Sequence, residues 1–203
     1  MSISLYKNDL PDGLDLGTSI AVDSETMGLN PVRDRLCVLQ LSTGDGKAHL
    51  VQFTDPSYDA PNLKAALANP EILKIFHFAR FDIAVIKKFL GVETTPIYCT
   101  KIASKLVRTY TDKHGLSNIC RELIGIELNK QQQSSDWGAA ELTAEQLSYA
   151  ANDVLYLHKL KERLDVMLER ENRTHLAQDC FNFLSARAQL DLSGWADQDI
   201  FEH

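Results

Sequence analysis

Runs of apolar and β-branched residues dominate the first third of the chain and predict strands. Three such runs cover residues 18–25, 35–42 and 47–53, and the turn-forming Gly44-Asp45-Gly46 separates the last two. Because the connections are short, we expect these strands to pair as an antiparallel meander.

The rest of the chain first alternates helical and extended patterns and then becomes helical. Thr143 and Gln146 form a capping box that predicts the start of the longest helix. The predicted elements are a helix over 62–68, a strand over 72–77, a helix over 81–90, a strand at 97–98, and helices over 100–109, 116–124, 143–169 and 172–190.

This order of elements predicts an α/β fold with a mixed central β-sheet, in which the antiparallel meander joins parallel strands. Helices flank the sheet and the C-terminus is helical, for which the ribonuclease H-like fold is the main architecture. A Rossmann fold is the alternative, but no G-x-G-x-x-G sequence follows the first strand. The sequence also contains no P-loop and no G-x-S-x-G.

Composition narrows the class of protein and of ligand. The chain has 203 residues, of which 44% are hydrophobic and 24% charged, and this predicts one globular domain over residues 1–203. The 21 basic and 28 acidic residues give a net charge of −7. Such a chain has no broad basic surface for duplex nucleic acid, so a phosphate-bearing ligand must meet local positive charge or metal ions.

The cysteines and the N-terminus bear on the compartment. Cys37, Cys99, Cys120 and Cys180 are widely spaced without a C-x-x-C, which favours buried reduced thiols over a zinc site. The N-terminus lacks the regions of a signal peptide, and no run approaches about 20 apolar residues. We therefore expect a cytoplasmic protein that makes no contact with a membrane.

Four carboxylates occupy positions that the pattern assigns to buried surfaces. Asp23 and Glu25 lie two residues apart, hence on one face of a central strand, at its C-terminal end. Asp82 and Asp153 fall within apolar stripes of two predicted helices. A buried carboxylate costs several kcal/mol unless it is paired or binds metal. An Asp near a helix N-terminus, such as Asp82, is on its own equally explained by capping or by the helix dipole, but the four acids together favour a site.

The charge and donor type of these residues suggest the partner. Four carboxylates match two divalent cations, and oxygen ligands alone favour Mg²⁺ or Mn²⁺ over zinc. Such a pair of ions is a recurring device for phosphodiester cleavage. Tyr149 lies four residues before Asp153, on the same helical face, where a phenol can orient water or simply pack half-buried.

Three motifs carry a resemblance to a known family. They are Asp23-Ser24-Glu25, His77-Phe78-Ala79-Arg80-Phe81-Asp82 and Tyr149-Ala150-Ala151-Asn152-Asp153. In this order they resemble the exonuclease superfamily that is named for its Asp-Glu-Asp-Asp acids, in the subgroup with a tyrosine in the third motif. The stretch SSDWGAAELTAEQLSYAANDVLYL resembles ribonuclease D, and the whole chain resembles the nanoRNase C group.

This resemblance implies a 3′→5′ exoribonuclease that splits very short oligoribonucleotides, above all dinucleotides such as pGpG, into 5′-mononucleotides. It implies a homo-oligomeric ring, octameric in that group, with no obligatory protein partner and no accessory nucleic-acid-binding domain. Asp23, Glu25, Asp82 and Asp153 would bind the two metal ions, and Tyr149 would position the attacking water.

Further residues are candidates for contact with substrate. Leu29 matches the leucine that wedges between two terminal bases in such enzymes, although ordinary loop packing explains it equally well. Lys101, Lys105 and Arg108 share one predicted helical face, which holds a phosphate or is simply a solvated basic surface. His77 is expected to be a core residue without a catalytic role.

The segment before the third motif borders the active site in the ribonuclease D pattern. Lys130, Ser134, Ser135 and Asp136 are its polar candidates, of which Ser135 is assigned to substrate binding, and Trp137 is expected to pack. Near the C-terminus Trp195, Ile200 and Phe201 need a surface to cover, either on the same chain or, as the resemblance favours, on a second subunit.

Two other functions stay open. One is a broader exonuclease that also trims longer RNA or DNA, and the other is a ring-forming nucleic-acid-binding module without catalysis. The acidity of the chain favours a short substrate, because long nucleic acid is held through many phosphate contacts.

Overall fold

The computed structural model describes residues 2–128 and 135–203, which form one mixed sheet with helices around it. The strands are β1 (Ser2–Lys7), β2 (Ser19–Thr26), β3 (Leu36–Ser42), β4 (Lys47–Gln52), β5 (Leu73–Phe76) and β6 (Ile97–Cys99). The helices are α1 (Pro61–Ala68), α2 (Ala79–Leu90), α3 (Thr100–Val107), α4 (Leu116–Ile124), α5 (Ala144–Leu155), α6 (Leu157–Arg170) and α7 (Thr174–Leu190), after which a π-helical turn covers Asp191–Trp195.

The sheet has the order β1-β4-β3-β2-β5-β6. The pairs β2–β3 and β3–β4 are antiparallel, which confirms the predicted meander. The pairs β1–β4, β2–β5 and β5–β6 are parallel. β2 therefore lies inside the sheet, with β3 on one side and β5 on the other, as its position in the sequence predicts.

Helices cover the sheet and leave the ends of β2 and β5 accessible to side chains from two of them. α5 packs against β2, β3 and β4, whereas α2 contacts β2 and β5 and is itself covered by α7. The core consists of fully buried aliphatic side chains such as Ile20, Val22, Leu39 and Ile75. Burial of one such side chain contributes about 1.5–3 kcal/mol, so this core fixes β2 firmly.

Two elements differ from the predicted ones. The apolar pattern does not predict β1, because half of its six residues are polar, and the parallel pairing with β4 is what extends it. The helix predicted over 143–169 is two helices that meet at Tyr156, whose backbone (φ −109°, ψ −4°) departs from helical values. The break reorients the chain, since α5 packs on the sheet whereas α6 packs on α3, α4 and α7.

The structure also tests the predictions about the cysteines and about membrane-spanning segments. The four cysteines are free thiols, and three are buried as expected, but Cys180 is exposed. In the part of the chain that the structure describes, every helix is too short or too polar to cross a bilayer.

Candidate active site

The C-terminal half of β2 places two carboxylates on one face of the sheet. Asp23 and Glu25 share this face because strand side chains alternate, and the ladder with β3 shifts register directly after Glu25. Asp153 reaches them from α5: carboxylate oxygens of the three residues lie within 4.8 Å of one another. Residues 130 positions apart in sequence thus meet at one point.

Asp82 joins this cluster from the first turn of α2. Its side chain is only 3% exposed, and Ser24 Oγ donates a hydrogen bond to Asp82 Oδ1 over 2.6 Å. Phe78, which precedes α2, has a left-handed backbone (φ 70°, ψ 42°) and makes no side-chain cap. The chain turns sharply there, so that α2 starts at the end of β5 and directs Asp82 towards β2.

α5 carries both candidate site residues of the third motif, Tyr149 and Asp153. Its start is the predicted capping box: Gln146 N donates to Thr143 Oγ1 over 3.2 Å and Thr143 N donates to Gln146 Oε1 over 2.9 Å. Tyr149 and Asp153 are four residues apart and face the acids of β2 together. The buried Trp137 ring lies 6.0 Å from that of Tyr149, so Trp137 packs, as expected.

The electrostatics of the cluster are strongly unfavourable to four ionised groups. Burial raises the pKa of Asp23 from 3.8 to about 7, although Gln40 and the backbone N–H of Ser24 oppose the rise. Burial and, next, the charge of Asp23 raise the pKa values of Asp82 and Asp153 well above their ordinary range. The pKa of Glu25 is also raised well above its ordinary range, first by burial and then by the charges of Asp23, Asp153 and Asp82.

These observations test whether metal ions fit the site. All donors are carboxylate oxygens, which suit Mg²⁺ or Mn²⁺. Among residues 2–128 and 135–203, none of the ion pairs involves any of the four acids. A partly buried cluster of negative charge that has no basic partner among these residues needs positive charge from outside them. The four residues therefore fit a site for divalent cations.

Tyr149 is held as a neutral phenol. Burial, followed by the charges of Asp153, Glu25 and Asp23, raises the pKa of Tyr149 well above its ordinary value. Its hydroxyl therefore keeps its proton and is a hydrogen-bond donor next to the carboxylates.

Gln40 is a site residue that the sequence analysis does not single out. It lies opposite Asp23 in the register of β2 and β3, and its Nε2 donates to Asp23 Oδ2 over 2.7 Å. Its side chain is completely buried. A polar amide inside the otherwise apolar run LCVLQLS is the signal that marks it, because a buried polar group needs a partner.

The prediction that Arg108 contacts the substrate is wrong. α3 ends at Val107, and the Arg108 side chain is fully buried and paired with Glu122. Arg108 Nη1 donates to Ser104 Oγ over 3.0 Å and to the Lys113 carbonyl oxygen over 2.8 Å. The prediction placed Arg108 on one helical face with Lys101 and Lys105, but the helix ends one residue before Arg108.

Leu29 and the two lysines lie at the surface. Leu29 is 89% exposed. Lys105 is exposed, and Lys101 Nζ lies 4.1 Å from the centroid of the Phe78 ring, next to the start of α2. Ser135 is partly exposed, and its role stays a prediction. Lys130 and Ser134 lie outside the described residues.

His77 has the environment expected of a core residue. Its Nδ1 lies 2.9 Å from Thr100 Oγ1, and burial, followed by the nearby charge of Lys101, lowers its pKa to about 3. The imidazole is therefore neutral and bonded within the protein.

Comparisons with known proteins agree with this geometry. The family model described as 3′-5′ exonuclease matches residues 8–169. Ribonuclease D of Gluconacetobacter diazotrophicus is 31% identical over 154 residues, which are 76% of this chain and 39% of that protein. The chain thus spans about two fifths of the length of that curated relative.

Solved structures cover the chain fully. NrnC of Brucella melitensis superposes with a TM-score of 0.97 at 54% identity, over 100% of this chain and 98% of that one. Two further structures of that protein are described as bound to pGG and with bound Mg²⁺, each with a TM-score of 0.96 at 52% identity, covering 100% of this chain and 99% and 100% of theirs. These similarities confirm the predicted ribonuclease H-like fold.

Proposed function

The chain belongs to the 3′-5′ exonuclease family, and from this premise we propose that it hydrolyses short oligoribonucleotides from the 3′ end, with dinucleotides such as pGpG preferred. The observation that carries the proposal is the cluster of Asp23, Glu25 and Asp153 within 4.8 Å, with Asp82 and Tyr149 beside it. The similarity to an NrnC structure described as bound to pGG supports the substrate class.

The four acids would hold two divalent cations, Mg²⁺ or Mn²⁺. When bound, such ions supply an activated water and stabilise the leaving oxygen of a phosphodiester. The carboxylates themselves bind and space the ions, and Gln40 keeps one oxygen of Asp23 oriented. The similarity to an Mg²⁺-bound NrnC structure supports the assignment.

Tyr149 would position the attacking water. Its hydroxyl is protonated and faces the carboxylates, so it donates one hydrogen bond while an oxygen lone pair accepts another. A single orienting contact of this kind contributes about 10²-fold to a hydrolytic rate.

Leu29 would separate the last two bases of the substrate. The turn that carries it is well fixed: Asn30 N donates to Asp34 Oδ2 over 3.0 Å, and a Cβ on Gly28 would lie 2.4 Å from that same oxygen. Leu29 is 89% exposed on this turn, so stacking against a flat apolar surface such as a nucleobase would remove apolar area from water.

The net charge of −7 favours a short substrate, because long nucleic acid is held through many phosphate contacts. Lys101 and Lys105 are the candidates for a substrate phosphate: Lys101 Nζ lies over the ring of Phe78 at the start of α2, and Lys105 lies one turn further along α3. With one or two phosphate contacts, the logarithm of the binding constant for a dinucleotide falls only shallowly with salt.

A ring of identical subunits, octameric in the related group, is part of the proposal. Trp195, Ile200 and Phe201 are 44%, 45% and 76% exposed and form an apolar end of the chain. Burial against a second subunit would remove this surface from water. The organisation of residues 1–203 as a single exonuclease domain and the cytoplasmic location also stay predictions.

A time course on 5′-labelled oligoribonucleotides of two to seven residues tests the function. We expect rapid loss of the dinucleotide in Mn²⁺, with Asp23→Ala inactive and Asp45→Ala, a surface acid, fully active. Accumulation of dinucleotides, or equal turnover of a 20-mer assayed in parallel, would instead indicate the broader exonuclease. Full hydrolysis by Asp23→Ala would show that the acids are not the site, and binding without hydrolysis by the unaltered chain would indicate the non-catalytic module.

A further inference from the structure

A cluster of one acid and two arginines connects the C-terminal segment to the helix that carries Asp82. Asp191, only 7% exposed, accepts two hydrogen bonds from Arg80, from Nε over 2.6 Å and from Nη2 over 2.7 Å. Arg187 donates to the same carboxylate from Nε over 3.1 Å and from Nη2 over 2.6 Å. We call Arg80, Arg187 and Asp191 the C-terminal latch.

The latch also holds the chain that follows it. Arg80 Nη2 donates to the Ala196 carbonyl oxygen over 2.7 Å, and Arg187 Nη1 donates to that of Gln198 over 3.4 Å. Gly194 has φ 101°, so the chain turns back there towards α2. The segment from Asp191 to Gln198 is therefore bound to the outer side of α2 through Arg80.

Arg80 is well placed to fix Asp82. The two residues are two positions apart in α2, so their side chains point about 200° apart around the helix axis. Arg80 is bound on the outer side while Asp82 faces the cluster on the inner side. A clamp on one side of a single helical turn restricts movement of the side chain on the other.

Core packing of Ala79 and Ile83 holds the start of α2, but no side-chain cap does. Its N-cap, Phe78, contributes no side-chain hydrogen bond and has a left-handed backbone. On the inner side Ser24 Oγ donates a hydrogen bond to Asp82 Oδ1 over 2.6 Å. An outer contact of the charge-assisted, bidentate kind is among the stronger ones available to a side chain.

We propose that the C-terminal latch positions the first turn of α2, so that Asp191 and Arg80 set the affinity of the site for its divalent cations. Arg80 and Asp191 are positioning residues in this proposal, since neither touches the substrate. The proposal rests on the proposed function, because it assumes that Asp82 is a metal ligand.

Mn²⁺ titration calorimetry on the full chain tests it. Changes in residues that orient metal ligands cost about 10–100-fold in metal affinity, so we expect Asp191→Asn and Arg80→Gln to weaken Mn²⁺ binding by about 10-fold. The matched control is Lys161→Gln, which breaks another ion pair, the 2.6 Å contact between Lys161 Nζ and Asp165 Oδ2 on α6. It should leave the Mn²⁺ affinity unchanged.

Hydrogen–deuterium exchange supplies the second readout. The amides of residues 79–82 should exchange faster in Asp191→Asn and Arg80→Gln than in the control, and hydrolysis should recover at saturating Mn²⁺, which a general loss of folding would not allow. If Asp191→Asn does not fold, Arg80→Gln decides, because it leaves the pair of Asp191 and Arg187 in place.

The outcomes separate the two proposals. Unchanged Mn²⁺ affinity and unchanged exchange at residues 79–82 in a folded Arg80→Gln variant would overturn the latch and leave the proposed function intact. An unaltered chain that binds no Mn²⁺ would overturn both.

Discussion

Replacing Asp23 with asparagine should abolish activity and yet make the metal-free protein more stable. Burial raises the pKa of Asp23 from 3.8 to about 7, so near neutral pH the folded state resists an ionised carboxyl that the unfolded state accommodates freely. Asparagine has nearly the same shape, carries no charge, and keeps an oxygen that accepts the hydrogen bond from Gln40. The substitution thus removes a cost while preserving the contact.

The size and sign of the effect follow from proton binding. Between pH 4 and 7 the folded state binds the proton of Asp23 more tightly than the unfolded state does, so the free energy of unfolding falls as pH rises. The rise of the pKa from 3.8 to about 7 corresponds to about 4 kcal/mol at pH 8. At pH 5.5 the same carboxyl costs about 2 kcal/mol, and below pH 4 it costs nothing.

The wild-type profile alone does not isolate this contribution. Burial lowers the pKa of His77 to about 3, so the unfolded state takes up a proton at His77 as pH falls below 6.5, and stability then falls with pH. The two residues act in opposite directions across the same range. The difference between Asp23→Asn and the unaltered chain cancels His77. It leaves Asp23 together with the relief of Glu25, Asp82 and Asp153, whose pKa values the charge of Asp23 raises and which therefore add to the gain in the same direction.

Thermal denaturation in EDTA at pH 8 and pH 5.5 measures this difference. For a chain of this length 1 kcal/mol shifts Tm by about 2–4 °C, so we expect a clear rise at pH 8 and about half of it at pH 5.5. Asp45→Asn is the matched control: a bond from the Lys47 backbone N–H lowers the pKa of Asp45, so its replacement should bring no gain. A variant no more stable than wild type at pH 8, or a gain equal at both pH values, would refute the reasoning.

Four further predictions follow from the geometry. Leu29→Ala should raise KM for a dinucleotide by about 10-fold, through lost apolar contact, with Tm unchanged because the side chain is 89% exposed. Tyr149→Phe should lower kcat by about 10²-fold and leave Mn²⁺ affinity unchanged in calorimetry; an unaltered kcat would remove Tyr149 from the mechanism. Arg108→Ala should cost about 3 kcal/mol in urea denaturation, because Arg108 is completely buried and its truncation leaves a cavity and removes its hydrogen bonds to Ser104 Oγ and the Lys113 carbonyl oxygen; a loss of substrate affinity without a loss of stability would contradict its structural assignment. Removing residues 195–203 should yield a smaller species in sedimentation velocity, and an unchanged species would place the subunit interface elsewhere.

The local pattern of the sequence predicts much of the fold and the acids of the site. Period-two alternation puts Asp23 and Glu25 on one face of β2, and four-residue spacing puts Tyr149 and Asp153 on one face of α5. The capping box joins Thr143 and Gln146, three positions apart, and the antiparallel pairing of β3 with β4 follows from the short turn between them, so short stretches of sequence contain the information for both.

Tertiary structure decided what these patterns leave open. Arg108 follows a helical stripe in sequence, yet its burial depends on Glu122 and on the end of α3 one residue earlier. The helix break at Tyr156 arises because α5 and α6 pack on different surfaces. Gln40 meets Asp23 across two strands, 17 residues apart, and Asp191 meets Arg80 across 111 residues. Propensity and periodicity act over one or two turns, whereas these partners are brought together by the packing of whole elements, which no local window of sequence specifies.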